Sequence, residues 1–150
     1  MDKKYLPYHL EINTLGFYVD RLLYAMIKRQ NQMLRESSLD LQHSEFVALK
    51  VLNVLEGASQ SQLASVMGKE RSGITRILVS LEKKGYVERK PLNGSTNYVT
   101  PTEKGRGSVT EITEISDRLT DLTFKGFSAQ KRKSLLNSLD RLYKNALGEK

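Results

Sequence analysis

No cysteine occurs in the 150 residues. A disulfide framework, a thiolate nucleophile and cysteine-based redox sensing are thereby excluded. Tryptophan is absent too, and aromatic residues make up 7%, a poor supply for a sugar-stacking surface. The two histidines, His9 and His43, are far apart, with no His-x-x-x-His pattern or His/carboxylate cluster around them. A zinc site of ordinary spacing is therefore not expected. No run of roughly 18 apolar residues exists, as a membrane span would need. The start, Met1-Asp2-Lys3-Lys4-Tyr5-Leu6-Pro7, lacks the apolar core of a secretory signal, so the expectation is a cytoplasmic protein with no membrane partner. No paired carboxylates, nucleophile triad or phosphate loop appears either. Glu82, Glu88 and Glu103 read as surface or capping charges. The expectation is a protein that is not an enzyme and needs no cofactor.

What the chain does hold is 39% apolar and 27% charged residues, enough apolar material to build one domain's core. The net charge is +7 and it is unevenly placed. Residues 1–59 carry seven Lys/Arg against seven Asp/Glu, residues 60–107 nine against four, and residues 108–150 eight against six. A basic middle third points to a polyanion, most simply nucleic acid. From charge alone, an ordinary basic surface kept for solubility accounts for it equally well.

Helical periodicity covers most of the chain. Residues 9–37 read as one long helix, with Leu15, Val19, Leu22, Met26 and Met33 on one stripe and Leu23, Ile27 and Leu34 widening it. A helix this long at the end of a small chain suggests a partner helix from a second subunit. A second helix is expected over 43–55, stopping near Gly57. Ser59 followed by Gln62 is a capping box for a short third helix that Gly68 ends. Ile74, Ile77, Leu78 and Leu81 then mark a fourth helix, with Gly85 at its C′ position. Two short helices joined by a tight turn make a helix-turn-helix.

Phased at about 100° per residue, the fourth helix turns Ser72, Arg76, Val79 and Lys83 away from its apolar side, with Thr75 on one flank and Arg71 nearer the core edge. Such a face suits a major groove, where arginine pairs with guanine or phosphate and hydroxyls reach base edges. An ordinary solvated face has the same composition. The next segment favours the groove. Tyr86–Leu92 and Ser95–Thr100 read as strands around Asn93-Gly94, the strongest two-residue hairpin signal. A two-residue loop would pair Leu92 with Ser95 and set Pro91 opposite Thr96, which is acceptable if the first strand is at the edge of its sheet. A short polar hairpin directly after a helix-turn-helix is a wing; a merely structural hairpin is the alternative.

Thr100-Pro101-Thr102-Glu103 starts a further helix, capped by Thr100 with Pro101 at the first position, or by Thr102. Ile112, Ile115, Leu119 and Leu122 continue its pattern, Lys125-Gly126-Phe127 breaks it, and Ser128 caps a last helix. Leu135, Leu136, Leu139, Leu142, Tyr143 and Leu147 form that helix's apolar face, which looks like a dimer element or a packing surface within one domain.

This order resembles the MarR family (multiple antibiotic resistance regulators), winged-helix transcription factors of bacteria and archaea. The resemblance runs over nearly the whole chain. It is densest in Ser59–Ala64, Arg71–Arg76, Leu81–Arg89 and Thr102–Arg106. It implies a mainly α fold with a small β-hairpin wing, one unit over 1–150. Dimerisation helices would lie at about 9–37 and 108–148, flanking a winged helix-turn-helix at about 43–105. It further implies a homodimer that regulates transcription, most commonly by repression, from a pseudo-palindromic operator in double-stranded DNA. Many members release DNA when a small-molecule effector binds. Tyr18, Tyr24 and Phe17 could line such a site, or serve as core packing.

Carried over by position, Ser72, Thr75 and Arg76 would face DNA, with Arg71 at the helix entrance. Ser59, Gln60 and Ser61 would meet phosphate at a helix N-terminus. Lys69, Arg71, Lys83, Arg89 and Lys90 would contact phosphates, and Asn93 and Ser95 stand at the wing tip. Three departures stand out. The wing carries Asn93-Gly94-Ser95 where the family usually has Asp-x-Arg, and it is about two residues shorter. Gly73 interrupts the recognition helix, and Glu70 stands where Asp is frequent as a cap. The competing reading is a winged-helix module that binds protein and not specific DNA.

Overall fold

A computed structural model describes residues 14–92 and 96–148. These fall into two compact units divided between Ser116 and Asp117. In the first, α1 (Leu15–Arg35) starts at Thr14, whose hydroxyl accepts the Phe17 N–H. The part of the expected first helix before Thr14 lies outside the described residues. Only the C-terminal part of α1 is buried, at Gln30, Met33 and Leu34. Then come α2 (His43–Val54), β1 (Ala58–Ser59), α3 (Gln60–Met67), α4 (Arg71–Lys83), β2 (Val87–Leu92), β3 (Thr96–Pro101), α5 (Glu103–Gly107) and α6 (Val109–Thr123). Phe46, Leu49, Leu52, Leu63, Ile74, Leu78, Leu81, Val99 and Ile112 are fully buried. At ~1.5–3 kcal/mol for each such side chain removed from water, this cluster is what holds the three central helices on the sheet.

The local signals act as expected. The Ser59 hydroxyl accepts the Gln62 N–H at 3.2 Å and Gln62 Oε1 accepts the Ser59 N–H at 2.9 Å. Gly68 ends α3 with φ of 57°, and Gly85, with φ of 76°, follows α4, both backbone states that side chains disfavour.

Four details differ from the sequence reading. The sheet has three strands in the order β1-β3-β2, because Ala58 and Ser59 pair with Val99 and Tyr98. The wing register is Leu92 to Thr96 and Pro91 to Asn97, one residue from the expected pairing. A slip of one residue moves a strand's side chains to the opposite face. Only the observed register sets buried Val87 opposite buried Pro101, and Arg89 opposite buried Val99, so that all of these share the core face. Pro91 is on β2, an edge strand as required. Thr102, not Thr100, caps the next helix, because Pro101 still belongs to β3. That helix is also interrupted: α5 ends at Gly107 and α6 begins after Ser108, whose hydroxyl donates to the Gly105 carbonyl at 2.7 Å.

The second unit holds the end of α6 and α7 (Ala129–Leu147). The turn between them is held by the Phe124 and Phe127 rings, edge to face at 5.8 Å, and by Arg132, which lies over Phe124 and reaches Asp121 at 3.2 Å. Ser128 caps α7, accepting the Lys131 N–H. No residue of α7 is buried. Among the described residues, no helix is long and apolar enough to cross a membrane.

Candidate nucleic-acid interface

The outer stripe of α4 is Ser72, Arg76, Val79 and Lys83, all exposed. Ile74, Leu78 and Leu81 on the opposite side are fully buried, so the amphipathic pattern fixes which residues face out. Ser72, Arg76 and Lys83 have no hydrogen-bond or ion-pair partner among the described residues. They are a hydroxyl and two cations free for an external acceptor. No carboxylate lies on this stripe.

The flank toward α3 is different, because its polar groups are already engaged with each other. Arg71 Nη2 donates to Ser61 Oγ at 2.9 Å. Gln60 Nε2 donates to the Thr75 hydroxyl and also to the Arg71 carbonyl at 3.3 Å, while Thr75 Oγ1 donates to the Arg71 carbonyl at 2.9 Å. Four of the expected DNA-binding residues, Gln60, Ser61, Arg71 and Thr75, thus form a bridge between the start of α3 and the start of α4. At the head of α4, Glu70 is the N-cap residue and makes no side-chain cap. Its carboxylate suits the helix dipole only. Lys69 is exposed in the turn before it.

The far end of α4 is clamped by the segment after the wing. The Thr102 hydroxyl donates to the Gly85 carbonyl at 2.6 Å and accepts the Gly105 N–H at 3.1 Å. Lys104 Nζ donates to the Lys84 carbonyl at 2.7 Å and stands 4.2 Å from the Tyr86 ring centre. A lysine on the last carbonyls of a helix satisfies an orphan acceptor and complements the dipole. Lys84 in turn points to Glu45 of α2 at 2.8 Å and to Asp40 at 3.7 Å. Burial alone would raise the Glu45 carboxyl, but hydrogen bonds from Lys84, Ser80 and the Gln42 N–H outweigh it and hold it below its ordinary value.

The wing's cations divide. Lys90 is exposed and pairs with Glu88 at 2.8 Å. Arg89 points inward: its side chain is 20% exposed, and Nε lies 3.2 Å from Glu82 Oε2. That contact is off hydrogen-bond alignment, and Nε and Nη2 are shielded from solvent with no acceptor aligned to them. The Arg89–Glu82 pair ties the first wing strand to the end of α4. In place of the expected phosphate contact of Arg89 and surface charge of Glu82 stands a pair spanning a helix end and a strand, which follows neither helical nor strand spacing. Asn93 and Ser95 lie outside the described residues. Ser59 is spent on its cap. Of the aromatic candidates on α1, Tyr18 and Tyr24 are exposed and Phe17 is half-buried, edge-on to Tyr18. Among the described residues no group of three His, Asp or Glu could hold a metal ion.

Comparison with known proteins yields consistent matches. The model of the MarR family matches residues 41–95. An uncharacterized HTH-type transcriptional regulator of Bacillus anthracis is 30% identical over 99 residues, covering 65% of this chain and 67% of that one. Among solved structures, a Listeria monocytogenes regulator described as MarR family, in complex with 26mer DNA, superposes with a TM-score of 0.82 over 89% of each chain at 22% identity. Bordetella bronchiseptica BpsR, described with regulation of its DNA binding by 6-hydroxynicotinic acid, superposes with a TM-score of 0.79 at 19% identity, over 93% of this chain and 99% of that one. At these identities the superpositions establish the fold.

Proposed function

From the premise that this chain belongs to the MarR family, we propose that it is a transcriptional regulator that binds double-stranded DNA as a homodimer on a pseudo-palindromic operator. The observation that carries the reading is the free outer stripe of α4, Ser72–Arg76–Lys83, presented on a helix held at both ends. Arg76 and Ser72 read base edges in the major groove. Lys69, Lys83 and Lys90 contact phosphates, and the N–H groups at the start of α3, near Ser59 to Ser61, receive a further phosphate. Asn93 and Ser95 belong to the same proposal as further DNA contacts. Arg71, Thr75 and Arg89 hold the elements that carry these contacts.

Two exposed apolar faces support the homodimer. On α1, Leu15, Tyr18, Val19, Leu22 and Leu23 are 43–57% exposed, and on α7 the six large apolar side chains are 38–57% exposed. Contiguous exposed apolar faces mark interaction sites, a second protein chain among them. Repression, by occupying DNA that polymerase needs, is the regulatory sign that fits the family best. Control by a small-molecule effector is part of the same proposal, prompted by BpsR.

The test is fluorescence anisotropy on labelled duplexes over a range of salt. Affinity for random duplex should fall steeply with salt, as counterion release requires. Weak binding that is indifferent to salt would instead favour a protein-binding module. Arg76→Ala should cost roughly 1–3 kcal/mol on a selected operator and little on random competitor DNA. Equal losses on both would make Arg76 a phosphate contact.

A further inference from the structure

Val79 is 52% exposed, although it sits on the fourth-helix stripe between two cations, Arg76 one turn before it and Lys83 one turn after. Folding gives no reason for valine there. It packs against no core, and a β-branched side chain is a poorer helix former than alanine, lysine or glutamate. Exposed valines also occur at Val19, Val54, Val66 and Val109, but none of these lies between cations on this stripe. On the neighbouring flank the Thr75 hydroxyl is engaged by Gln60 and the Arg71 carbonyl, and Arg71, itself exposed, donates from Nη2 to Ser61. The side chains of the outer stripe with no such engagement are Ser72, Arg76 and Val79, with Lys83 behind.

Resting on the DNA-binding reading above, we infer that Val79 is a base-reading residue that selects thymine, through contact between its methyl groups and the thymine 5-methyl in the major groove. The occupant is fixed by charge complementarity. Arg76 and Lys83 flank Val79 one turn to either side and no acid shares its stripe, which suits a polyphosphate backbone on either side of the contact. Within the major groove the 5-methyl of thymine is the apolar group that a valine can meet. Three residues of helix advance about 4.5 Å, against about 3.4 Å per base pair, so the thymine lies within about two base pairs of the base that Arg76 reads.

The experiment takes a duplex selected by the wild-type chain from a random pool. Each thymine of a half-site, and its symmetry mate, is replaced in turn by deoxyuridine, which lacks only the 5-methyl. Affinities are measured for wild type and Val79→Ala, with melting curves to show that the variant folds. At one thymine position wild type should lose about fourfold per half-site, the equivalent of ~0.8 kcal/mol for one buried methyl-sized group. Val79→Ala should lose nothing there, and at all other positions the two proteins should respond alike. Equal responses at every thymine, or a selected site with no thymine near the Arg76-dependent base, would overturn the assignment while leaving DNA binding intact. Failure of wild type to select any duplex would instead overturn the DNA-binding reading, and this inference with it.

Discussion

An ideal Cβ on Gly105 would stand 2.1 Å from the Tyr86 carbonyl oxygen. The last motif of the sequence therefore carries glycine because α5 is pressed against the backbone that follows α4. Gly105→Ala should cost about 2 kcal/mol, within the range for overpacking, and lower the melting temperature by several degrees. Gly73 is the opposite case: nothing lies within 4 Å of its ideal Cβ, so Gly73→Ala should stabilise by about 0.5–1 kcal/mol through helix propensity. Its DNA affinity then separates close backbone approach, where affinity falls, from a merely tolerated glycine, where it does not. Of the acid-range groups with a shifted pKa, His43 and Glu45 are the ones not left at the surface. Burial, then the Lys69 charge, lowers His43 from its ordinary value of 6.5, and Glu45 is held below 4.5. A lowered folded pKa means that the unfolded chain binds the proton more readily, so stability is lost on acidification. The His43 contribution is complete above pH 6.5 and fades below it, and that of Glu45 fades below 4.5. Melting temperatures should fall in two stages as the pH drops through these two ranges, and His43→Gln should flatten the first. A melting temperature that rises on mild acidification through the histidine range would contradict this.

At the scale of elements, what could be read in the sequence was what is local. Ser59 with Gln62, Gly68, Gly85 and Ser128 each act within one turn, and each capped or stopped a helix as expected. The amphipathic phase of α4 is legible for the same reason, so the outward placement of Ser72, Arg76 and Lys83 follows from it. What was missed depends on partners distant in the chain. β1 is two residues long and exists only through β3. The wing register goes with Val87 and Val99 sharing a buried face, a pairing that no local signal announces. The Gln60–Thr75 and Arg89–Glu82 contacts join elements that periodicity treats separately. The wing itself offers a direct test. With Arg89 turned to Glu82, its only exposed cation among the described residues is Lys90. Ser95→Arg should strengthen DNA binding by adding a phosphate or minor-groove contact. An unchanged anisotropy titration would mean that the hairpin stays off the duplex.

At the scale of the whole molecule, α1 and α7 each carry an apolar face that is unburied among the described residues. Leu139 is 38% exposed, so Leu139→Glu should leave each chain's fold intact while placing a charge in the proposed dimer contact. Analytical ultracentrifugation should show the wild type at twice the chain mass and the variant at one. DNA affinity should fall by more than about tenfold, since one half-site then binds alone. A wild-type protein sedimenting as a single chain would remove the symmetric operator from the account. The most direct test of the whole is selection of bound sequences from a random duplex pool by the wild-type protein, read by sequencing. The account predicts an inverted repeat whose half-site centres are about 34 Å apart, one helical turn. Recovery of unenriched sequence, or of a single site without two-fold symmetry, would contradict it.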